Sequence, residues 1–399
     1  MAKYLILLGD GMADEPLEAL GGRTPLETAH TPNMDRLAQG GACGWVRTVP
    51  PGMPPGSDVA NLSVIGFNPA TYYTGRAPLE AASMGVEMGP QDVAYRCNLV
   101  TVRDGIMADY SAGHISSQEA RELIKAISKT LGNDTFAFFP GVSYRHLLVW
   151  KEGKDSPQTT PPHDISGCLV GEHLPKGDGA GELRTLMEKS GEILAHHPVN
   201  ERRIREGKEP ASVIWLWGQG KKPQFPSFEG TYGVKGAVIS AVDLMKGIAV
   251  LLGMEPISVP GATGYLDTDY EGKARAALGF LRERGNFVYL HIEAPDEAGH
   301  QGDVNAKIRA IENIDSRVLP LILEGVRDLG PLNILLLCDH PTPIAIKTHT
   351  ADPVPFVIWK SHQEWDGEKG YNEASLAHLK PYTIQQGHRL MALFLGHLC

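Results

Sequence analysis

No run of about 18 apolar residues occurs anywhere in the 399-residue chain, so nothing in it is long enough to cross a bilayer as a helix. Cysteine is scarce too: the five, Cys43, Cys97, Cys168, Cys338 and Cys399, are odd in number, scattered and without Cys-x-x-Cys spacing. That argues against a disulfide framework or a thiolate zinc cluster and suits a reducing cytoplasm. A basic excess is missing as well, since 37 Lys and Arg face 47 Asp and Glu for a net charge of −10. No basic stripe exists to hold nucleic acid or an anionic membrane surface. Neither a Gly-x-Ser-x-Gly elbow nor a Walker-type Gly-x-x-x-x-Gly-Lys-Ser/Thr is present, which argues against a hydrolase triad and a P-loop. There is no internal repeat and no low-complexity tract, and the apolar run at Lys3 to Gly9 reads as a strand, so the expectation is a chain without a basic, cleavable leader. What remains is a soluble globular chain, 42% hydrophobic and long enough for two or three domains. The expectation is a cytoplasmic protein, a monomer or small homo-oligomer, with small molecules as its partners.

The most informative stretch runs from Ile334 to His349. Ile334-Leu335-Leu336-Leu337 reads as a buried parallel strand, and it ends in Asp339, His340 and, nine residues on, His349. Ligands of open α/β sheets gather beyond the carboxyl ends of such strands. The layout recurs: Phe287-Val288-Tyr289-Leu290-His291-Ile292 is followed by Asp296 and His300, and Tyr4-Leu5-Ile6-Leu7-Leu8-Gly9 ends in Asp10. Three strands lying side by side would bring Asp10, Asp296, His300, Asp339, His340 and His349 to one spot. Three carboxylates and three imidazoles are too many for one tetrahedral ion and suit two divalent cations. The mixed oxygen and nitrogen set favours Mn²⁺ or Zn²⁺ over Mg²⁺.

Thr31 reads as the cap of a helix with Pro32 at its first position. A Pro- and Gly-rich loop, Pro50 to Gly56, then presents Ser57 at the start of a short helix. An ordinary helix cap is one reading of Ser57. The other is a nucleophile, because a helix amino terminus beside two cations would lower the hydroxyl pKa and hold a phosphoryl group.

Asp10, Ser57, Asp296-x-x-x-His300, Asp339-His340 and His349, with Leu8-Gly9-Asp10-Gly11-Met12-Ala13-Asp14 and Gly75-Arg76-Ala77-Pro78-Leu79-Glu80-Ala81, resemble the cofactor-independent phosphoglycerate mutases of archaeal type, within the alkaline phosphatase superfamily. The resemblance runs over nearly the full chain. It implies an α/β fold: an alkaline-phosphatase-like core with a central, mostly parallel sheet, formed by 1–92 and 212–399, and a smaller α+β substrate domain inserted at 93–211. It also implies Ser57 as nucleophile and metal ligand, a phosphoserine intermediate, and a small phosphorylated acidic substrate over which the inserted domain closes.

Alternation at Arg96 to Val102 and Tyr144 to Trp150 predicts antiparallel or mixed strands for the insertion. Ser116 opens a helix with capping-box chemistry, and a second helix covers Glu182 to His196. Arg145, His163, Asp164, Arg202 and Arg203 are the candidates there for the substrate's carboxylate and phosphate, because a guanidinium donates two hydrogen bonds at once. Lys235 is a candidate to stabilise a transferring phosphoryl group. One departure from the family stands out: Trp217-Gly218-Gln219-Gly220 replaces an arginine followed by Gly-Ala-Gly, which removes one anion ligand. That leaves a homoserine kinase-like phosphotransferase of the same superfamily as the alternative activity.

Overall fold

The computed structural model describes residues 2–362, 366–368 and 370–397. They fall into two compact units, one made of 1–73 and 225–399, the other of 74–224. The insertion expected at 93–211 begins and ends further in. Contacts assign more to the second unit because helix Arg76–Ser83 buries Ala77 and Ala81 against Ala94 and Leu147. Among the described residues the strands are β1 (Lys3–Gly9), β2 (Gly41–Val46), β3 (Val93–Arg103), β4 (Ile106–Asp109), β5 (Phe136–Phe139), β6 (Arg145–Trp150), β7 (Val213–Lys221), β8 (Gly236–Ile239), β9 (Glu255–Ile257), β10 (Phe287–Ile292), β11 (Leu332–Leu337) and β12 (Val354–Lys360).

The first unit is built on a seven-stranded sheet in the order β2-β12-β11-β1-β10-β8-β9. Five of these strands, β11, β1, β10, β8 and β9, run parallel, and β12 and β2 add an antiparallel edge. The central three are near-continuous apolar runs because helices cover both of their faces, and Leu5 to Leu8 and Leu332 to Leu337 carry almost no exposed surface apart from Asn333. The pairing register aligns the ends of these strands. Gly9 pairs with Ile292 and Leu8 with Leu337, so Asp10, Glu293 and Asp339 leave the sheet at one level.

Helix Val304–Asn313 runs on through a π-turn at Ile314–Val318, which puts Asp315 opposite the helix Pro32–Gln39. Asp315 Oδ1 accepts from the backbone N–H of Asn33 at 2.9 Å and of Met34 at 2.7 Å. Thr31, expected as that helix's cap, makes no capping bond: the distant carboxylate has taken its place. The last helix is Arg389–Leu395, and just before it Ile384 pairs with Val46.

The second unit carries an antiparallel sheet, β4-β3-β6-β5, with β7 on the other side of β3. The capping box Ser116 with Glu119 starts helix Ser117–Leu131, and Ala180–Ala195 packs beside it. Cys43, Cys97, Cys168 and Cys338 are free thiols, and Cys399 lies outside the described residues. No described helix is long and apolar enough to cross a membrane.

His146 in β6 yields a stability prediction. Its Nδ1 accepts from Gly141 N–H at 3.0 Å, and burial, helped by the Arg145 charge, pushes its pKa down to about 3. The native ring stays neutral while the unfolded chain takes up a proton below about pH 6.5, so stability is lost as pH falls through that range. Between about pH 7.5 and about pH 5.5 the loss should be about 1.4 kcal/mol. Urea titrations should show it in the parent and not in His146→Gln; equal losses in both would contradict a buried neutral ring.

Candidate active site

The carboxyl edge of the first unit's sheet gathers all six predicted ligands into two groups, Asp10, Asp339 and His340 in one and Asp296, His300 and His349 in the other. Within each group one ligating atom per residue lies within 4.8 Å of the others. His300 Nε2 is 3.0 Å from His349 Nε2 and 3.2 Å from Asp296 Oδ2, while His349 Nε2 is 3.4 Å from Asp296 Oδ1. His340 Nε2 stands 3.3 Å from Asp339 Oδ2 and 3.6 Å from Asp10 Oδ1. The groups adjoin, since the rings of His340 and His349 are 4.1 Å apart.

Local chemistry explains why these side chains converge. Asp10 and Asp339-His340 are the first polar residues after buried parallel strands. Asp296 and His300 are four apart on helix Ala294–Gln301, hence on one face. Gly11 has a left-handed φ of 59°, and a Cβ there would collide with Thr342 and Asp296. Its N–H donates to Asp339 Oδ1 at 3.1 Å. Buried Lys307 ties the loop after β1 to the loop after β11, donating to Asp14 Oδ2 at 2.7 Å and to Thr342 O at 2.8 Å.

Ser57 is the first residue of helix Ser57–Val64 and caps nothing. Its Oγ lies 3.1 Å from His340 Nε2 instead. Asn61, one turn on, holds it there: Nδ2 donates to Ser57 O and to Asp339 Oδ2, both at 2.8 Å, and Oδ1 accepts from Tyr289 Oη at 2.5 Å. Thr342 Oγ1 donates to Asp296 Oδ1 at 2.5 Å, fixing a carboxylate of the other group.

The electrostatics are those of a cation site. Burial, then the Asp339 and Asp296 charges, hold the Asp10 carboxyl well above the usual range. Asp10 Oδ1 is buried without a partner. Against its burial, His300 is pushed up to about 9 by Asp296, and Asp296 is driven well below the carboxylate range by His300 and His349. Three carboxylates this close, one with an orphaned oxygen, want positive charge beyond what the chain provides. The donor set and its division into two groups fit two divalent cations.

Other predicted residues separate. Lys235 is exposed just before β8, its N–H donating to Asn286 Oδ1 at 2.8 Å. Because β8 is parallel to β10, that position is the amino edge of the sheet, opposite the ligands, so Lys235 does not serve the site. Arg203 is buried and fully engaged, with Glu119 Oε2 and Ala112 O at 2.8 Å and Glu209 O at 2.9 Å. It is a structural clamp, and Arg202 stands beside the same Glu119 at 3.7 Å.

Arg145 and His163 fall instead in a cationic, aromatic cluster of the second unit, with Asp164 exposed on its flank 3.6 Å from His163. Arg145 lies over Tyr144, and the His163 ring is 5.3 Å from Trp217. Arg96, opposite Trp217 on β3, stacks on that indole at 4.3 Å and pairs with Glu80 Oε2 at 2.9 Å. Arg76 pairs with Glu80 Oε1 at 3.2 Å. A guanidinium therefore stands against position 217, reached from the neighbouring strand. Sequence reasoning missed Arg96, Arg76, Asn61, Thr342 and Lys307. Two carried a signal: Asn61, four residues beyond Ser57 on one helix face, and Arg76, inside the stretch Gly75 to Ala81 that resembles the family.

The comparisons with known proteins point the same way. A family model described as 2,3-bisphosphoglycerate-independent phosphoglycerate mutase matches residues 38–200. A probable 2,3-bisphosphoglycerate-independent phosphoglycerate mutase of Geobacter sulfurreducens is 55% identical, with 98% of this chain and 99% of that protein covered. The enzyme of that name from Methanothrix thermoacetophila is 54% identical over 99% and 100% of the two chains. Among solved structures, a protein of Pyrococcus horikoshii superposes with a TM-score of 0.82 at 30% identity, covering 99% of this chain and 97% of that one. The cofactor-independent phosphoglycerate mutase of Thermoplasma acidophilum superposes with 0.66 at 28% identity over 100% of both. Sequence identity above one half across whole chains, on an α/β core with these ligand-bearing strand ends, leaves no other placement: the chain belongs to the 2,3-bisphosphoglycerate-independent phosphoglycerate mutase family.

Proposed function

We propose that the protein interconverts 3-phosphoglycerate and 2-phosphoglycerate, passing the phosphoryl group through Ser57. The observation that carries this reading is a serine hydroxyl, freed from capping its own helix, 3.1 Å from His340 within the Asp10, Asp339 and His340 group. Two divalent cations, Mn²⁺ or Zn²⁺ in preference to Mg²⁺, suit the groups, held by Asp10, Ser57, Asp339 and His340 on one side and Asp296, His300 and His349 on the other. When bound they supply Lewis acidity, lowering the Ser57 hydroxyl pKa and neutralising the phosphoryl oxygens.

Ser57 Oγ forms a bond to phosphorus as the bond to the glycerate oxygen breaks, and that oxygen takes up the proton Ser57 gave up. The adjacent glycerate hydroxyl then attacks phospho-Ser57 and Ser57 is restored, with no net proton or water consumed. Asn61 fixes the nucleophile's backbone against Asp339, so positioning is supplied by the fold. In the second unit, Arg76, Arg96 and Arg145 offer a seat for a carboxylate, with Glu80 keeping them apart and oriented. The substrate is then a small phosphorylated acid, and free thiols suit a cytoplasmic enzyme.

The test is phosphorus NMR of Mn²⁺-loaded protein with 3-phosphoglycerate and no 2,3-bisphosphoglycerate. A 2-phosphoglycerate resonance is expected. Release of inorganic phosphate alone, or phosphohomoserine from a parallel incubation with ATP and homoserine, would overturn the reading.

A further inference from the structure

We infer that Lys273, Glu293 and His291 form a buried ionic chain that turns one oxygen of Asp10 away and leaves the other for a cation, making them positioning residues for the Asp10, Asp339 and His340 group. The inference rests on the two-cation reading above. All four side chains are buried: Lys273 and His291 are 0% exposed, Glu293 3% and Asp10 4%. Burying such charges costs several kcal/mol each unless their partners are well placed, so a chain of four calls for an explanation beyond packing.

Each partner is placed. Lys273, on helix Tyr270–Glu283, donates to Glu293 Oε2 at 2.5 Å and to His291 O at 3.0 Å. Glu293 Oε1 accepts from Ser240 Oγ at 2.7 Å and from Ala241 N–H at 2.6 Å, so both of its oxygens are engaged and it is not itself a ligand. His291 stands two residues before Glu293, on the same face at the end of β10. Its Nδ1 is 3.2 Å from Glu293 Oε1 and its Nε2 is 3.2 Å from Asp10 Oδ2. Ser240 Oγ also stands 3.3 Å from Nδ1, while Nε2 meets Asp10 Oδ2 as a close polar contact and not as an aligned hydrogen bond. Asp10 Oδ2 is thereby turned toward the His291 ring. Asp10 Oδ1, buried and without a partner, faces His340 Nε2 at 3.6 Å, toward the rest of the group. Among the described residues the other group has no ionic chain behind it: Thr342 and its own histidines hold Asp296, and the Lys347 carbonyl lies 2.9 Å from His300 Nδ1.

Groups behind a ligand fix its orientation, and losing them typically weakens metal binding by about 10- to 100-fold. Calorimetric titration of the metal-stripped full chain with Mn²⁺ should therefore show two ions bound by the parent. In His291→Ala and Lys273→Met one ion should bind about 10- to 100-fold more weakly and the other within about twofold of the parent. His291→Gln, which keeps a donor at that place, should recover most of the loss. A merely structural role would lower the melting temperature of the metal-free protein and weaken both ions alike. Two ions bound by His291→Ala as in the parent, or an equal loss at both, overturns the inference alone. A parent protein that binds only one ion overturns the two-cation reading and this inference with it. Should His291→Ala not fold, Lys273→Gln decides on the same criterion.

Discussion

Ser57→Ala should interconvert the phosphoglycerates roughly 10⁶-fold more slowly than the parent, the scale on which deleting a covalent nucleophile acts. The fold should hardly notice. Ser57 is half-buried, does not cap its helix, and meets His340 through a single contact, so the change in stability should stay within about 1 kcal/mol. Matched melting curves and initial rates check both halves. A variant with near-normal conversion would show that phosphate never resides on Ser57, whereas a variant that melts many degrees lower would mean the loss is structural.

Stripping divalent cations should be as damaging to turnover. Asp10, Asp296 and Asp339 converge in the two groups beside Ser57, and each would repel a phosphoryl group there unless cations intervened. The Asp10 carboxyl, already held high by burial and its acidic neighbours, states the same conflict within the protein. Dialysis against EDTA should reduce turnover to background, and Mn²⁺ should restore it. Each ion at about 100 times its dissociation constant should add about 2.7 kcal/mol to stability, read as a rise in melting temperature. Full activity in metal-free buffer, confirmed by elemental analysis, would end the two-cation account.

The cluster of carboxylates and imidazoles was legible in the sequence for a physical reason. A buried parallel strand announces itself as an apolar run, and the first polar residues past its carboxyl end are adjacent in the chain to that run, as Asp10 and Asp339-His340 are. The residues that hold the ligands were not legible. Lys307 answers Asp14 across 293 positions and Tyr289 answers Asn61 across 228, and nothing in either local pattern names the partner. Inside an apolar run Tyr289 and His291 read simply as strand.

Two misplacements were avoidable. Lys235 precedes a parallel strand, so strand direction alone consigns it to the far edge, about 3.3 Å further per residue. Arg203 lies four residues after Val199 on one helix, and both are buried on that face, so it belonged to the inner side however much the local charge resembled an anion site. Thr31 shows the limit of local capping rules, since Asp315 reached its helix from 282 residues away.

The most direct measurement of the central claim is to quench the Mn²⁺-loaded enzyme in acid during turnover of 3-phosphoglycerate and to map phosphate by peptide mass spectrometry. One phosphoryl group on the peptide carrying Ser57, absent without substrate and absent in Ser57→Ala, is the predicted result. Turnover with phosphate on a histidine, or on no residue at all, would contradict it.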